Sequence, residues 1–280
     1  MLTKTPLLAE AHSFQRFTLG NVLLKARMYS KPFNGSLSQL ASPDLYTRET
    51  FSRLLGDIHH EAQIGKAFAP NPTKFTDRII EPSELTMTMP IGKHVLYRNP
   101  ERPADGVPLK AGEACFISPS SCPTTVMVGG DGRALVLHTG RDCLIDRHAL
   151  ENNAPAPGRR HTSIVFSALH YLGDPEKVRV KVFWSIPPHR FVHDLDSPTH
   201  MKVNRRMYEA IFTLWSPDSV PLRGSKFQLD LPKLIRDQCK SRGVPEANID
   251  LTHAYHPPAG TWTDGAKGTP RNLVVISRHS

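Results

Sequence analysis

The stretch between Ser118 and Gly140 constrains this chain more than any other, because it reads as a β-hairpin closed on a glycine-rich turn. Two alternating runs, 124–128 and 133–138, flank Gly129-Gly-Asp-Gly132. Tight hairpin turns need backbone conformations that glycine and Asp adopt readily. Cys122 and His138 stand sixteen residues apart with the turn midway between them, so antiparallel pairing brings thiol and imidazole to the same end of the ladder. Local sequence alone builds a Cys-His pair.

The chain has 280 residues, enough to bury a sizeable core, and no composition shift divides it, so one domain over 1–280 is expected. No run of about eighteen apolar residues exists to span a bilayer. Lys4, Glu10, His12 and Arg16 interrupt the apolar residues of 1–24, which argues against a secretory signal. A cytoplasmic protein is expected, or one exported as an effector without a cleavable signal. Four cysteines, Cys115, Cys122, Cys143 and Cys239, show no Cys-x-x-Cys spacing, which argues for free thiols over a disulfide framework or a structural zinc knot. The net charge of +9 comes from scattered Lys and Arg with no long basic block. Such basicity favours anionic surfaces or substrates, and without a nucleic-acid motif it does not point to a nucleic-acid partner.

Strand patterns cover 85–89, 94–98, 113–117, 124–128, 133–138, 178–184 and 272–277. Helical spacing appears over 44–66, 162–172, 204–215 and 231–242, with Gly173 and Gly243 as stops. Residues 1–92 read as helix and loops packed on or extending the remainder. The pattern predicts an α+β fold, a single domain of mixed layered β-sheets with flanking helices.

A catalytic cysteine acts as a thiolate, and a neighbouring imidazole takes its proton and later protonates the leaving amine. Cys122 follows a polar turn, Ser118-Pro-Ser-Ser121, whose amides and hydroxyls can face an oxyanion, while Pro123 removes one donor. Ser120, Ser121 and Thr139 are therefore the candidate oxyanion or substrate contacts. The competing reading makes Cys122 a small buried hydrophobe and His138 an ordinary strand residue.

Several pieces recur in a set order. They are Ala104-Asp105-Gly106, Cys122-Pro123, the strand from Gly132 into His138-Thr139-Gly140, Trp184-Ser-Ile-Pro-Pro188, the Leu-Asp-Leu helix over 229–244, and the strand over 269–276. In this order, across 93–276, they resemble the YfiH-like family, also called the laccase-domain or multicopper polyphenol oxidase family, whose members act on purine nucleosides. That resemblance implies a zinc ion held by an upstream His, the Cys and the following His, here His94, Cys122 and His138. The family's Trp-Arg-Gly is replaced by Arg141-Asp142-Cys143, and its C-terminal aromatic-arginine stretch by 259–264. The Cys-His core also resembles the catalytic domains of cytotoxic necrotizing factors, which deamidate a protein glutamine. Their Ser-Gly-Cys-Thr and His-Thr-Gly are similar to Ser120-Ser121-Cys122-Pro123-Thr124 and His138-Thr139-Gly140, and this chemistry needs no metal.

The reading that results is a hydrolase of deamidase type that cleaves a carbon-nitrogen bond, with Cys122 as nucleophile and His138 as base and then acid. It requires no cofactor and takes a protein glutamine or a small carboxamide as substrate. The alternative is a zinc enzyme acting on a purine nucleoside and phosphate, and a third reading is an inactive binding member of the fold. His59 and His60, adjacent on a helix, point apart and do not clasp one ion; His161, His170, His189, His193 and His200 read as surface residues; and His253 and His256 lie in a Pro-Pro-Gly loop that can edge a pocket, though their spacing does not demand it. Arg271 reads as an ion-pair residue, and Trp262 beside Asp264 as an aromatic at a core edge.

Overall fold

A computed structural model describes residues 13–29, 52, 54, 56–57, 65–70, 78–91, 94–99, 101–102, 104–119, 121–145, 163–257 and 271–279. In chain order the strands are β1 (Ser13–Leu19), β2 (Val22–Tyr29), β3 (Lys66–Ala69), β4 (Met87–Ile91), β5 (His94–Arg98), β6 (Gly106–Leu109), β7 (Glu113–Ile117), β8 (Thr124–Val128), β9 (Ala134–His138), β10 (Arg179–Phe183), β11 (Val192–Asp194), β12 (Leu222–Arg223), β13 (Lys226–Gln228), β14 (Ile249–Asp250) and β15 (Leu273–Arg278). The helices are α1 (Arg141–Leu144), α2 (Ile164–Leu172), α3 (Met201–Leu214) and α4 (Leu231–Ser241).

The strands form a seven-stranded sheet in the order β1-β2-β15-β7-β3-β5-β4, a five-stranded sheet β14-β10-β8-β9-β6, and a three-stranded sheet β11-β13-β12. Period-two alternation decides how they stack. One face of the five-stranded sheet presents Val107, Val126, Val128, Ala134, Val136 and Phe183, which share a core with Leu24, Met28, Cys115, Ile117, Val274 and Ile276 of the seven-stranded sheet. Its opposite face presents Met127, Leu135, Leu137, Val180 and Val182 to residues of α2, α3 and α4 such as Leu169, Met207, Leu234 and Ile235. The five-stranded sheet is thus the middle layer of an α+β fold, covered by a sheet on one side and helices on the other. Each fully buried aliphatic side chain of this kind contributes about 1.5–3 kcal/mol.

Strands β5, β7 and β8 begin and end where the sequence pattern places them, and the ends of β9, β10, β15 and the three long helices fall within a few residues of expectation. The expectation of helix and loops across 1–92 is corrected. The β1–β2 hairpin turns through Gly20, at φ +63°, and Asn21, and β3 joins the same sheet, as does β4, which is the strand expected over 85–89. Of the charged residues that interrupt 1–24, Arg16 is an exposed residue of β1, whereas Lys4, Glu10 and His12 lie outside the described residues; in β2, Val22, Leu24, Ala26 and Met28 are buried while Leu23 and Lys25 between them are partly open. Of the helix expected over 44–66, Ser52, Leu54, Gly56 and Asp57 are described and helical, whereas Lys66 opens β3. His59, His60, His161 and Trp262 lie outside the described residues.

Helix α1 is only four residues long, too short to stand by its own hydrogen bonds. A buried relay fixes its end: Ser163 Oγ donates to Gln238 Oε1 at 2.6 Å, and Gln238 Nε2 donates to the Leu144 carbonyl at 2.7 Å. Replacing Gln238 by Leu strands a buried hydroxyl and a buried carbonyl. We expect Gln238→Leu to cost about 1–3 kcal/mol, read as a lower urea midpoint at unchanged slope.

Candidate active site

The β8–β9 register pairs Thr124 with His138, and the chain reverses through Gly129–Gly132, with the Gly129 amide on the Arg133 carbonyl at 2.9 Å. Extending that register by two residues sets Cys122 opposite Gly140. Strand β6 lies on the other edge of β9, where the His138 amide donates to the Asp105 carbonyl at 2.7 Å. Asp105, His138 and Thr124 are therefore abreast on three neighbouring strands at one end of the middle sheet.

The side chains follow this backbone. His138 Nδ1 donates to Asp105 Oδ1 at 2.7 Å, with the imidazole 5% and the carboxylate 0% exposed. The Cys122 sulfur, half-buried, lies close enough to the same ring to raise its pKa. With Nδ1–H held by the carboxylate, Nε2 is the nitrogen left to exchange a proton. Burial pulls the imidazole's pKa down, but the Cys143 and Cys122 sulfurs and the Asp105 carboxylate outweigh it and hold His138 well above the ordinary histidine value. Cys143 Sγ lies 3.6 Å from Nδ1, and burial pushes its thiol up to about 12. Of the two thiols on this ring, Cys122 is the one that solvent reaches.

Gly140 shapes the approach. Its φ of −71° and ψ of 166° suit any residue, so its lack of a side chain answers to space alone. A Cβ there would fall 2.8 Å from Cys122 Sγ and 3.2 Å from His138 Cε1. Trp184, at φ +52°, is the described non-glycine residue in the left-handed region. Its turn carries Ile186 to the Ser121 carbonyl, which accepts the Ile186 amide at 3.0 Å and braces the residue before Cys122.

Of the expected contacts, Ser120 lies outside the described residues and Ser121 is half-buried beside Cys122. Thr139 is corrected: its hydroxyl donates to the Pro123 carbonyl at 3.0 Å and meets Thr125 Oγ1 at 2.8 Å, so it locks the open end of the hairpin and is spent structurally. Thr124 Oγ1 is buried without a hydrogen-bond partner, two residues from Cys122. Asp105 and Cys143 are the residues that sequence reasoning left out of the site. The signal for Asp105 was its Ala-Asp-Gly motif, and that for Cys143 its place five residues after His138.

The zinc set His94, Cys122 and His138 does not fit. Strands β5 and β7 both run parallel to β3, and their registers set Leu96 and Ala114 level through Ala67. His94 is therefore level with Gly112, at the start of β7, whereas Cys122 follows the far end of that strand. Six residues of extended chain separate those levels by roughly 20 Å. Asp105, His138 and Cys143 have ligand atoms within 4.8 Å of one another. The 2.7 Å contact between Asp105 and Nδ1 within this group is a hydrogen bond.

Two consequences are measurable. A folded-state value raised above the unfolded one, about 6.5, makes the His138 contribution to stability complete below that pH, and the contribution is lost as pH rises through the folded value. As pH rises from about 6.5, the wild-type urea midpoint should fall relative to that of His138→Gln. Gly140→Ala should slow iodoacetamide labelling of Cys122 by about tenfold or more, because the new methyl occupies the sulfur's approach, while the far-ultraviolet spectrum stays unchanged.

No protein-family model and no curated protein matches this sequence. Solved structures do. The Bacillus licheniformis hypothetical protein YfiH aligns with TM-score 0.57 at 12% identity, over 94% of this chain and 98% of that one. YlmD from Geobacillus stearothermophilus aligns with TM-score 0.59 at 16% identity, over 95% and 99%. The Neisseria meningitidis protein NMB0706, of the DUF152 family model, aligns with TM-score 0.59 at 12% identity, again over 95% and 99%. At these identities the likeness is one of architecture, and it holds over nearly the whole chain: this protein has the YfiH-like fold.

Proposed function

We propose that this chain is a thiol hydrolase that cleaves a carbon-nitrogen bond, removing ammonia from a carboxamide. The observation that supports it best is the buried Asp105–His138 contact behind Cys122. A nucleophile, a base and a group that orients the base recur wherever a thiol or hydroxyl attacks a carbonyl.

In this reading Asp105 fixes the tautomer, and His138 takes the Cys122 proton through Nε2. The thiolate forms a bond to the carboxamide carbon, and the imidazolium protonates the departing ammonia. Water, deprotonated by the same nitrogen, then releases the carboxylate from the thioester. Pro123 has no amide, so the Cys122 amide and Ser121 are the donors for the transient oxyanion. The substrate is a protein glutamine or a small carboxamide. The zinc-dependent nucleoside reading loses support because His94 is level with the wrong end of β7.

The test incubates the full chain with a pool of glutamine-bearing peptides and follows ammonia release together with conversion of glutamine to glutamate by mass spectrometry. Activity should vanish in Cys122→Ala and His138→Ala and fall by about 10²–10⁴-fold in Asp105→Asn, with the loss mainly in kcat. Turnover that survives Cys122→Ala, or stoichiometric zinc lost on that substitution, would overturn the thiol mechanism. A folded protein inert on every carboxamide would favour the binding reading.

A further inference from the structure

Two thiols touch one imidazole, and the hydrolytic reading uses only one of them. Cys122 is half-buried with its sulfur beside the His138 ring, while Cys143 is 2% exposed with its sulfur 3.6 Å from Nδ1 of the same ring. Asp105 already satisfies Nδ1, so the hydrogen-bonding of the ring does not call for a second sulfur there.

The backbone sets the two cysteines on either side of a single residue. Cys122 is level with Gly140 across the extended hairpin register, and the Gly140 carbonyl accepts the Cys143 amide at 3.0 Å. A cross-strand neighbour and one helical turn each span about 5 Å between Cα atoms, so the two cysteines' Cα atoms stand at most about 10 Å apart, against the roughly 4.4–6.8 Å that a disulfide bridges. Gly140, with no side chain, leaves open the space beside the Cys122 sulfur. The remaining thiols, Cys115 and Cys239, are fully buried in other parts of the core.

We propose that Cys122 and Cys143 form an oxidation-sensitive pair, in which Cys122 is the thiol attacked by a hydroperoxide and Cys143 resolves the product as an intramolecular disulfide. This rests on Cys122 being the reactive thiol of the site, and it makes that site reversibly switchable. The Cys122 sulfur displaces on the peroxide O–O bond, an S–O bond forms, and an alcohol or water leaves with the Cys122 proton. Cys143 then attacks the sulfenic sulfur, an S–S bond forms, the S–O bond breaks, and water leaves with the Cys143 proton relayed by His138. The two thiols together give up two electrons and two protons, and one hydroperoxide is reduced. A disulfide here removes the nucleophile and blocks its over-oxidation until a dithiol reduces it.

The experiment treats the purified full chain with a small excess of hydrogen peroxide, blocks remaining thiols with iodoacetamide, and maps peptides without reduction. The expected product is a Cys122–Cys143 cross-link that disappears with dithiothreitol, with Cys115 and Cys239 still reduced. In Cys143→Ala the cross-link is absent, and Cys122 advances to sulfinic and sulfonic acids that dithiothreitol does not reverse. Wild-type protein whose Cys122 over-oxidises while Cys143 stays reduced would overturn the proposal, as would a disulfide between molecules in its place. Because the readout is mass, a disulfide in a protein that releases no ammonia would sink the hydrolase reading alone. Ammonia release with no disulfide would sink this one alone.

Discussion

Hydrogen bonding of β9 to β6 on one edge and β8 on the other governs everything at the site. A histidine at the end of a doubly paired strand has no freedom to swing, and its neighbours across the sheet are fixed by register. The pairing puts a carboxylate on one side of His138, and two residues beyond the other strand it puts a thiol. Asp105 is fully buried, and an unpaired carboxylate there would be costly, so the contact with Nδ1 stabilises the fold and orients the ring together. The cores on both faces of the middle sheet hold β9 flat from above and below.

How much of this was legible in the sequence depends on the range of the contact. The hairpin was legible because its turn is written in four residues and its strands alternate on either side. Asp105 was not, because it belongs to a strand that carries Pro108. Proline lacks the amide a sheet interior needs, so a run containing it does not read as a strand. Strand β6 tolerates Pro108 because it is the edge of the five-stranded sheet. Once β6 went unread, the residue ahead of it had no reason to meet His138.

The same logic accounts for the N-terminal third. Strand β2 is bonded to β15, some 250 residues later in the chain, and nothing local announces that partner. Its alternation was broken by charges that look like the mark of a soluble segment until the second sheet supplies the buried face. His94 shows the opposite failure. The family resemblance called for an upstream ligand and His94 was the nearby candidate, but parallel registers through β3 are a tertiary fact, and they set it level with the end of β7 away from Cys122.

The placement of β15 has a consequence for the order in which the structure assembles. It lies between β2 and β7 in the seven-stranded sheet, so that sheet stays in two unjoined parts until the last strand of the chain is inserted. The Cys-His hairpin closes over sixteen residues and needs none of this, whereas burial of its inter-sheet face does. Contacts of short sequence separation form early and those of long separation late. During synthesis Cys122 and His138 would meet while the sheet that covers one face of their hairpin is still in two parts, and that face would become fully covered only when β15 docks.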